Sequence, residues 1–175
     1  CPSVVGMGVC GCGKTTVGQA LAVQLGRTFL DGDDFHPAAN KQKMAAGTPL
    51  DDGDRAPWLE AIAAKIEAEE AVGNPVVFAC SALKRSYREI IASRARSTVF
   101  LHLSGSQELL AERLCGRCHE YMPASLLGSQ LAVLEPPQPE DEPCIVADIA
   151  NSPEVIVQAV ERQLIALAES ALAGA

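Results

Sequence analysis

The sequence has few aromatic residues, no long apolar run and fewer basic than acidic residues. Aromatic side chains make up 4% of its 175 residues, which favours helices packed on a sheet over an aromatic-rich β-sandwich. The formal charge of -8 and the pI near 4.8 argue against binding nucleic acid or an anionic membrane, because both need a basic face. No stretch approaches the roughly 18 apolar residues that span a bilayer, and no apolar signal region follows a basic start, so we expect a cytoplasmic protein.

The seven cysteines do not form the pattern of a disulfide framework. They are odd in number and scattered over a chain that is 48% hydrophobic and long enough to build its own core. We therefore expect reduced thiols. Cys80 and Cys144 lie in apolar strands and are interpreted as packing residues.

Short apolar runs alternate with amphipathic stretches along the whole chain. The predicted strands are 3–7, 28–30, 76–80, 98–103 and 144–149, and the predicted helices are 14–25, 37–46, 54–71, 84–94, 106–115, 123–134 and one from 152 onwards. Residues 135–143 contain four prolines and four acids and are expected to form an exposed loop. This order predicts a single domain, residues 1–175, with a five-stranded parallel sheet and helices on both faces, a three-layer α/β fold.

A glycine-rich segment between the first strand and the first helix matches the pattern G-x-x-x-x-G-K-[ST]. Its backbone N–H groups and the following helix N-terminus suit a phosphate group. Lys14 is expected to reach the β and γ phosphates and to act in catalysis, and the Thr15 hydroxyl is expected to bind Mg²⁺. The predicted ATP-binding residues of this segment are Gly8, Val9, Cys10, Gly11, Cys12, Gly13, Lys14, Thr15 and Thr16.

Three carboxylates follow the second strand, at the sheet edge where parallel α/β proteins bind ligands. Asp31 is assigned to Mg²⁺, bound through water. Asp33 is assigned to orienting or deprotonating an attacking hydroxyl, because phosphoryl transfer depends on positioning and electrostatics. A plain helix cap is the alternative, and Asp34 alone could be one.

A dense set of residues around this acidic turn resembles the gluconokinase family. The matching residues are Asp31-Gly32-Asp33, His36-Pro37, Asn40, Lys43-Met44, Gly47, Pro49-Leu50, Asp52, Asp54-Arg55, Pro57-Trp58-Leu59, Cys80-Ser81-Ala82-Leu83-Lys84, Tyr87-Arg88, Ser129-Gln130-Leu131 and Leu134-Glu135-Pro136. The resemblance covers most of the chain. It implies a nucleoside-monophosphate-kinase-like P-loop fold with a lid, and ATP-dependent phosphorylation of D-gluconate to 6-phosphogluconate.

Gluconate is an anionic polyol, so its site needs a cation for the carboxylate and mixed donors and acceptors for the hydroxyls. Within the acceptor-binding segment, residues 34–58, and just beyond it, we expect His36, Lys43, Arg55 and Lys84 to join Asp33 in binding the substrate. Arg55 is the preferred partner of the carboxylate. Trp58 lies four residues before the apolar Ile62, which is the spacing of one helix face. We therefore expect Trp58 in the core, outside the site.

The resemblance places the lid at residues 113–123. Arg113 and Arg117 are four residues apart, so a continuing helix would place both on one face. By analogy with related kinases, Arg113 would lie against the adenine and Arg117 would contact the transferred phosphate. The pattern departs from the family at Glu120, which occupies the position of an expected His. His119 takes over by a one-residue shift, or the contact is absent.

Other interpretations of the same residues remain. Cys115, Cys118 and His119 fit a haem-attachment spacing or three zinc ligands, but the phosphate loop predicts neither. Cys10 and Cys12, near a helix N-terminus, are expected to have lowered thiol pKa values and redox sensitivity. The alternative functions are a kinase for another polyhydroxy acid such as shikimate, and a nucleotide sensor without turnover. A homodimer is a family-level expectation.

Overall fold

Helices and strands alternate in the structure as the sequence predicts. The structure, a computed structural model, describes residues 1–115 and 124–174. The strands are β1 Val4–Met7, β2 Phe29–Asp31, β3 Val77–Ala79, β4 Val99–Ser104 and β5 Cys144–Asp148. The helices are α1 Lys14–Leu25, α2 Ala38–Ala45, α3 Asp52–Ala71, α4 Arg85–Arg94, α5 Gln107–Cys115, α6 Ala124–Val133 and α7 Pro153–Ala173, and one 3-10 turn covers Gly32–Phe35.

The five strands form one parallel sheet in the order β2-β3-β1-β4-β5, which confirms the predicted α/β class. β1 lies at the centre, with Gly6 paired to Ala79 of β3 on one side and to Leu101 of β4 on the other. The chain crosses from β3 to β4 over β1, so the strand order reverses at this point. Loops at the carboxyl end of β1 therefore diverge and leave a crevice that can hold a ligand.

Each face of the sheet is covered by its own apolar cluster. Val4 points to the cluster shared with α1 and α7, and Val5 points to the cluster shared with α3 and α4. Side chains alternate between faces along a strand, so a doubly covered sheet needs continuous apolar runs such as those read from the sequence. Within the described part of the chain, none of the helices is both long and apolar enough to cross a bilayer.

Two local features differ from the sequence-based prediction. Helix α3 begins at Asp52, two residues early, because Asp51 and Asp54 form a reciprocal capping box at its N-terminus. The proline-rich segment 135–143 has no regular structure, as expected, but it is not uniformly exposed. Pro137 is buried, and the Glu142 carboxylate pairs with the buried Arg88 of α4 at 2.7 Å.

Candidate active site

The phosphate loop joins buried strand β1 to α1 in a tight turn built on glycine. Gly8, Gly11 and Gly13 have φ values of 144°, 80° and 93°, in the region that side chains rarely adopt. A Cβ at Gly8 would lie 2.8 Å from Cys12 Sγ and 3.0 Å from the Leu103 carbonyl oxygen. The loop can take this shape only with glycine at these positions.

Lys14, the first residue of α1, folds back across the loop. Its Nζ donates to the carbonyl oxygens of Gly8 at 2.9 Å and Val9 at 3.1 Å. Thr15 and Thr16, in the first turn of the same helix, are exposed. The Lys14 ammonium group and the Thr15 and Thr16 hydroxyls therefore lie together at the N-terminus of α1. The positive end of the helix dipole adds to them, and this arrangement suits a phosphate chain.

The thiols of the loop do not have the lowered pKa values that the sequence led us to expect. Burial is the largest effect on both, and it raises the pKa of Cys10 and of the fully buried Cys12. The positive charge of Lys14 acts in the opposite direction but is weaker. The prediction of lowered thiol pKa values was wrong, because burial outweighs the charge of Lys14. Cys80, buried next to the same loop, has a pKa raised to about 12 by burial.

A cavity of about 350 Å³ opens beside the loop, and its size suits a nucleoside. The residues that line it include Gly11, Gly13, Thr16, Arg113, Asn151 and Pro153. The Arg113 guanidinium donates to the Ile149 carbonyl oxygen, so Arg113 lies against the turn between β5 and α7. Arg113 therefore lines the cavity beside the phosphate loop, and its contact with adenine stays a prediction. Four residues named in the lid, Arg117, Cys118, His119 and Glu120, lie outside the described residues.

A larger cavity, about 910 Å³, opens at the opposite edge of the sheet. It is lined by Pro2, Pro75, Val99 and Leu167, at the amino ends of the strands and beside α7. None of the predicted site residues lines it. Its chemistry is that of an apolar groove, and the phosphate loop marks the smaller cavity as the candidate active site.

The two assigned carboxylates lie at the end of β2 beside the loop. Asp31 accepts a hydrogen bond from the Asp33 backbone N–H at 3.0 Å, which caps the 3-10 turn and fixes the direction of Asp33. The Asp33 side chain is exposed at the cleft, yet crowding of its carboxyl group by protein atoms raises its pKa, and repulsion from Asp31 adds to this. The charges of His36 and Lys14 oppose this rise in pKa, so Asp33 lies close enough to the phosphate-loop lysine to interact with it electrostatically.

His36 lies in the acceptor-binding segment, residues 34–58, and is fixed by two neighbours. Its ring stacks on Trp58 with centroids 4.2 Å apart and planes at 14°, and its Nδ1 lies 3.2 Å from the Asn40 side-chain amide. Burial lowers the His36 pKa, which favours the neutral imidazole. Trp58 itself is 4% exposed and donates through Nε1 to the Gly32 carbonyl oxygen, so it is a core residue as predicted, with one ring face supporting the site.

The lysines assigned to the substrate are held by carboxylates of the α3 N-terminus. Lys43 pairs with Asp54 at 2.8 Å, and Lys84 pairs with Asp52 at 3.0 Å. The hydrogen bond from Lys43 lowers the Asp54 pKa, and Asp54 in turn raises that of Lys43. These positive charges are therefore already compensated.

Arg55 differs from the two lysines. It forms no ion pair with any described residue, and it lies over the Tyr87 ring with Cζ 5.7 Å from the centroid and Nη1 3.3 Å from the hydroxyl. Tyr87 donates in turn to Asp52 at 2.5 Å. A half-buried guanidinium without a carboxylate partner in the described chain suits an anionic group.

Several residues of the site were matched in sequence without a role. Asn40 and Tyr87 support His36 and Arg55, and the Gln130 carboxamide accepts from the Cys10 backbone N–H at 2.6 Å. Asn151 and Pro153 line the nucleoside cavity and carried no signal, because they follow a strand that is distant in sequence. Their roles depend on contacts between elements, which local patterns do not reveal.

The donor set fits a magnesium ion. No cluster of three or more His, Cys, Asp or Glu ligands occurs among residues 1–115 and 124–174. Mg²⁺ does not need such a cage, because it binds through one or two protein oxygens, several waters and substrate phosphates. The Thr15 hydroxyl and the Asp31 carboxylate are oxygen donors at the same sheet edge as the phosphate loop.

Comparison with characterised sequences places this geometry among small-molecule kinases. A family model described as shikimate kinase matches residues 10–125. A gluconokinase from Gluconobacter oxydans is 46% identical over 159 residues, which cover 91% of this chain and 89% of that protein. The thermosensitive gluconokinase of Escherichia coli is 40% identical over 162 residues and is matched over 90% of this chain and 87% of its own length.

Solved structures agree with this placement. A gluconokinase from Sinorhizobium meliloti superposes with a TM-score of 0.88 at 42% identity, covering 99% of this chain and 97% of that one. Shikimate kinase from Aquifex aeolicus superposes with a TM-score of 0.58 at 17% identity, over 97% of this chain and 98% of its own. At that identity the second likeness concerns the fold alone.

Proposed function

Because this chain belongs to the gluconokinase family, we propose that it transfers the γ-phosphoryl group of ATP to D-gluconate and forms 6-phospho-D-gluconate. The observation that carries the proposal is the position of the Asp33 carboxylate beside the phosphate loop, close enough to Lys14 for the lysine charge to oppose the rise in the Asp33 pKa. Kinases of this family use ATP and a small-molecule acceptor. The sheet edge here offers one site for each.

The phosphate loop holds the triphosphate in this proposal. The N–H groups of Gly11 and of Gly13 to Thr16 surround the phosphates, and Lys14 leaves its carbonyl partners to contact the β and γ phosphates. The nucleoside lies in the cavity beside Arg113. These contacts orient the γ-phosphate towards Asp33, and orientation is a large part of catalysis in phosphoryl transfer.

Thr15 and Asp31 are the proposed magnesium residues, with Asp31 acting through water. When bound, Mg²⁺ neutralises charge on the phosphate oxygens. The Asp31 side-chain oxygen also accepts the hydrogen bond from the Asp33 backbone N–H, which keeps the Asp33 carboxylate in place.

Asp33 orients the acceptor hydroxyl and takes its proton while the phosphorus–oxygen bond to ADP breaks and the bond to the substrate oxygen forms. His36, Lys43 and Lys84 are proposed to bind hydroxyl groups of gluconate. Arg55 is proposed to bind the gluconate carboxylate, because it is the acceptor-side cation without a carboxylate partner among the described residues.

The remaining expectations are also kept as proposals. Arg117 would stabilise the transferred phosphate from the lid, residues 113–123, within a single domain. A homodimer, a cytoplasmic location, and the absence of nucleic-acid and membrane partners stay predictions from the sequence.

The test is an assay of ADP release with Mg-ATP and a panel of D-gluconate, other aldonates, shikimate and aldoses. We expect gluconate to give the highest kcat/KM. Turnover of shikimate instead of gluconate would favour a shikimate kinase, the description of the matched family model. ATP binding without turnover of any acceptor would favour a nucleotide sensor.

Three variants separate the assigned roles. Lys14→Ala should lower kcat by at least about 100-fold through lost phosphate stabilisation. Asp33→Asn should suppress turnover while leaving ATP affinity within about threefold, and Arg55→Ala should raise the KM for gluconate about tenfold or more with less effect on the KM for ATP. Arg94→Ala, which removes an exposed pair with Glu67 at the far end of α4, is the matched control and should behave as wild type.

A further inference from the structure

The phosphate loop is contacted by a side chain that is distant from it in sequence. The Cys10 backbone N–H donates to Oε1 of Gln130 at 2.6 Å, a contact between residues 120 positions apart. Gln130 lies in α6, the helix that follows the proposed lid. A phosphate-loop amide is thus bonded to a neutral side-chain oxygen of an element that comes after the lid.

The position of Cys10 decides which part of the reaction this contact affects. Cys10 follows Gly8 and Val9, whose carbonyl oxygens hold the Lys14 ammonium group. Gly11 and Gly13 line the nucleoside cavity, whereas Cys10 does not. The Cys10 amide therefore belongs to the Lys14 side of the loop, where the β and γ phosphates of ATP are proposed to lie.

The two helices that flank the proposed lid both contact the phosphate loop. A Cβ at Gly11 would lie 3.0 Å from Cγ of Leu114 in α5, so α5 packs closely against the loop. Gln130 makes the corresponding contact from α6. Just beyond the C-terminus of α6, the Glu135 backbone N–H donates to the Leu83 carbonyl oxygen at 2.8 Å, which ties the segment after the helix to the loop before Lys84.

We propose that Gln130 is a positioning residue for phosphoryl transfer, which links α6 to the phosphate loop through the Cys10 amide. The inference rests on the proposed kinase function. A neutral carboxamide fixes the loop without placing a negative charge beside the triphosphate, which a carboxylate in the same place would do. Gln130 contacts no reacting atom in this scheme and acts through the loop.

Two variants of Gln130 separate its acceptor oxygen from its neutrality. Gln130→Leu removes the acceptor, and Gln130→Glu retains an acceptor but adds a charge. Ser129→Ala is the matched control, since the Ser129 hydroxyl is exposed on the same helix and, among the described residues, bonds only to the Leu126 carbonyl oxygen of its own turn. The melting temperature of each variant shows whether it is folded.

The hydrogen bond itself is measured on protein labelled with ¹⁵N-cysteine, with the Cys10 resonance identified by its loss in Cys10→Ser. We expect Gln130→Leu to move the Cys10 amide proton upfield, and Gln130→Glu and Ser129→Ala to leave it downfield. An unmoved resonance in Gln130→Leu would show that the contact is absent and would overturn the inference.

Kinetics with ATP and D-gluconate test its effect. Gln130→Leu should lower kcat about tenfold or more with little change in the KM for gluconate, as expected for a misplaced phosphate loop. Gln130→Glu should raise the KM for ATP several-fold, and Ser129→Ala should match wild type. A displaced Cys10 resonance with kcat and ATP affinity within twofold of wild type would refute the positioning role.

The proposed function can fail separately. Wild-type protein that turns over no gluconate would refute that function, and the positioning role is then judged by binding alone. In that case Gln130→Leu should weaken ATP binding more than ADP binding, because Cys10 lies on the γ-phosphate side. Equal losses for both nucleotides would count against the inference.

Discussion

Replacement of Arg88 by Met should destabilise the protein strongly. Arg88 is 1% exposed and uses all five of its N–H donors. It donates twice to Glu142, at 2.7 and 3.0 Å, and to the carbonyl oxygens of Ala82, Leu83 and Glu135. This side chain ties α4 to the turn before Lys84 and to the proline-rich segment.

The size of the effect follows from the groups left behind. The Leu83 carbonyl oxygen keeps its bond from the Glu135 N–H, but those of Ala82 and Glu135 lose their Arg88 donor. Breaking a buried ion pair on one side typically costs about 3–5 kcal/mol. A domain of this size loses roughly 2–4 °C in Tm for each kcal/mol, so we expect Tm to fall by roughly 6–20 °C.

The assay is urea and thermal unfolding followed by circular dichroism, with Arg85→Ala as control. Arg85 lies on the same helix, is 48% exposed and pairs with Glu89 and Asp141 at the surface, so its loss should cost less than about 1 kcal/mol. A destabilisation by Arg88→Met no greater than that by Arg85→Ala would refute the argument. The KM for gluconate should also rise, because Ala82, with φ of 42°, is held in its strained turn by this contact.

In the proposed mechanism the ionised Asp33 carboxylate takes the proton of the acceptor hydroxyl, and its pKa is raised, first by the protein atoms that crowd the carboxyl group and then by Asp31, so activity should fall as pH drops through that raised value. Asp31→Asn should move the acid limb of kcat/KM to lower pH; an unmoved limb would contradict this origin. The raised pKa also means that the ionised Asp33 carboxylate lowers stability near neutral pH, so Asp33→Asn should raise Tm at pH 7 but not at a pH where the acid is protonated. Buried Cys12, with its raised pKa, should react with iodoacetamide at pH 7 more slowly than exposed Cys1 and Cys115, and equal labelling by mass spectrometry would show otherwise.

The order of elements and the phosphate loop could be predicted because both depend on short-range patterns. Helix α1 has the predicted bounds, Lys14–Leu25, because a positive-φ glycine precedes it and another ends it. The 3-10 turn at Gly32–Phe35 was missed, since it is short and consists mostly of acidic and glycine residues. Its cap, Asp31, was assigned to the metal alone.

The chemistry of individual groups depended on the tertiary structure. The P-loop, the parallel α/β sheet and the family resemblance can be identified without the structure, because glycine spacing and hydrophobic periodicity act over a few residues. Only the folded chain decided that Lys43 and Lys84 are neutralised while Arg55 lies against Tyr87. It also decided that burial outweighs the Lys14 charge at Cys12, and that Gln130 contacts the loop. Charge compensation, desolvation and contacts between distant elements arise when the crossovers bring those segments together, and no local pattern encodes them.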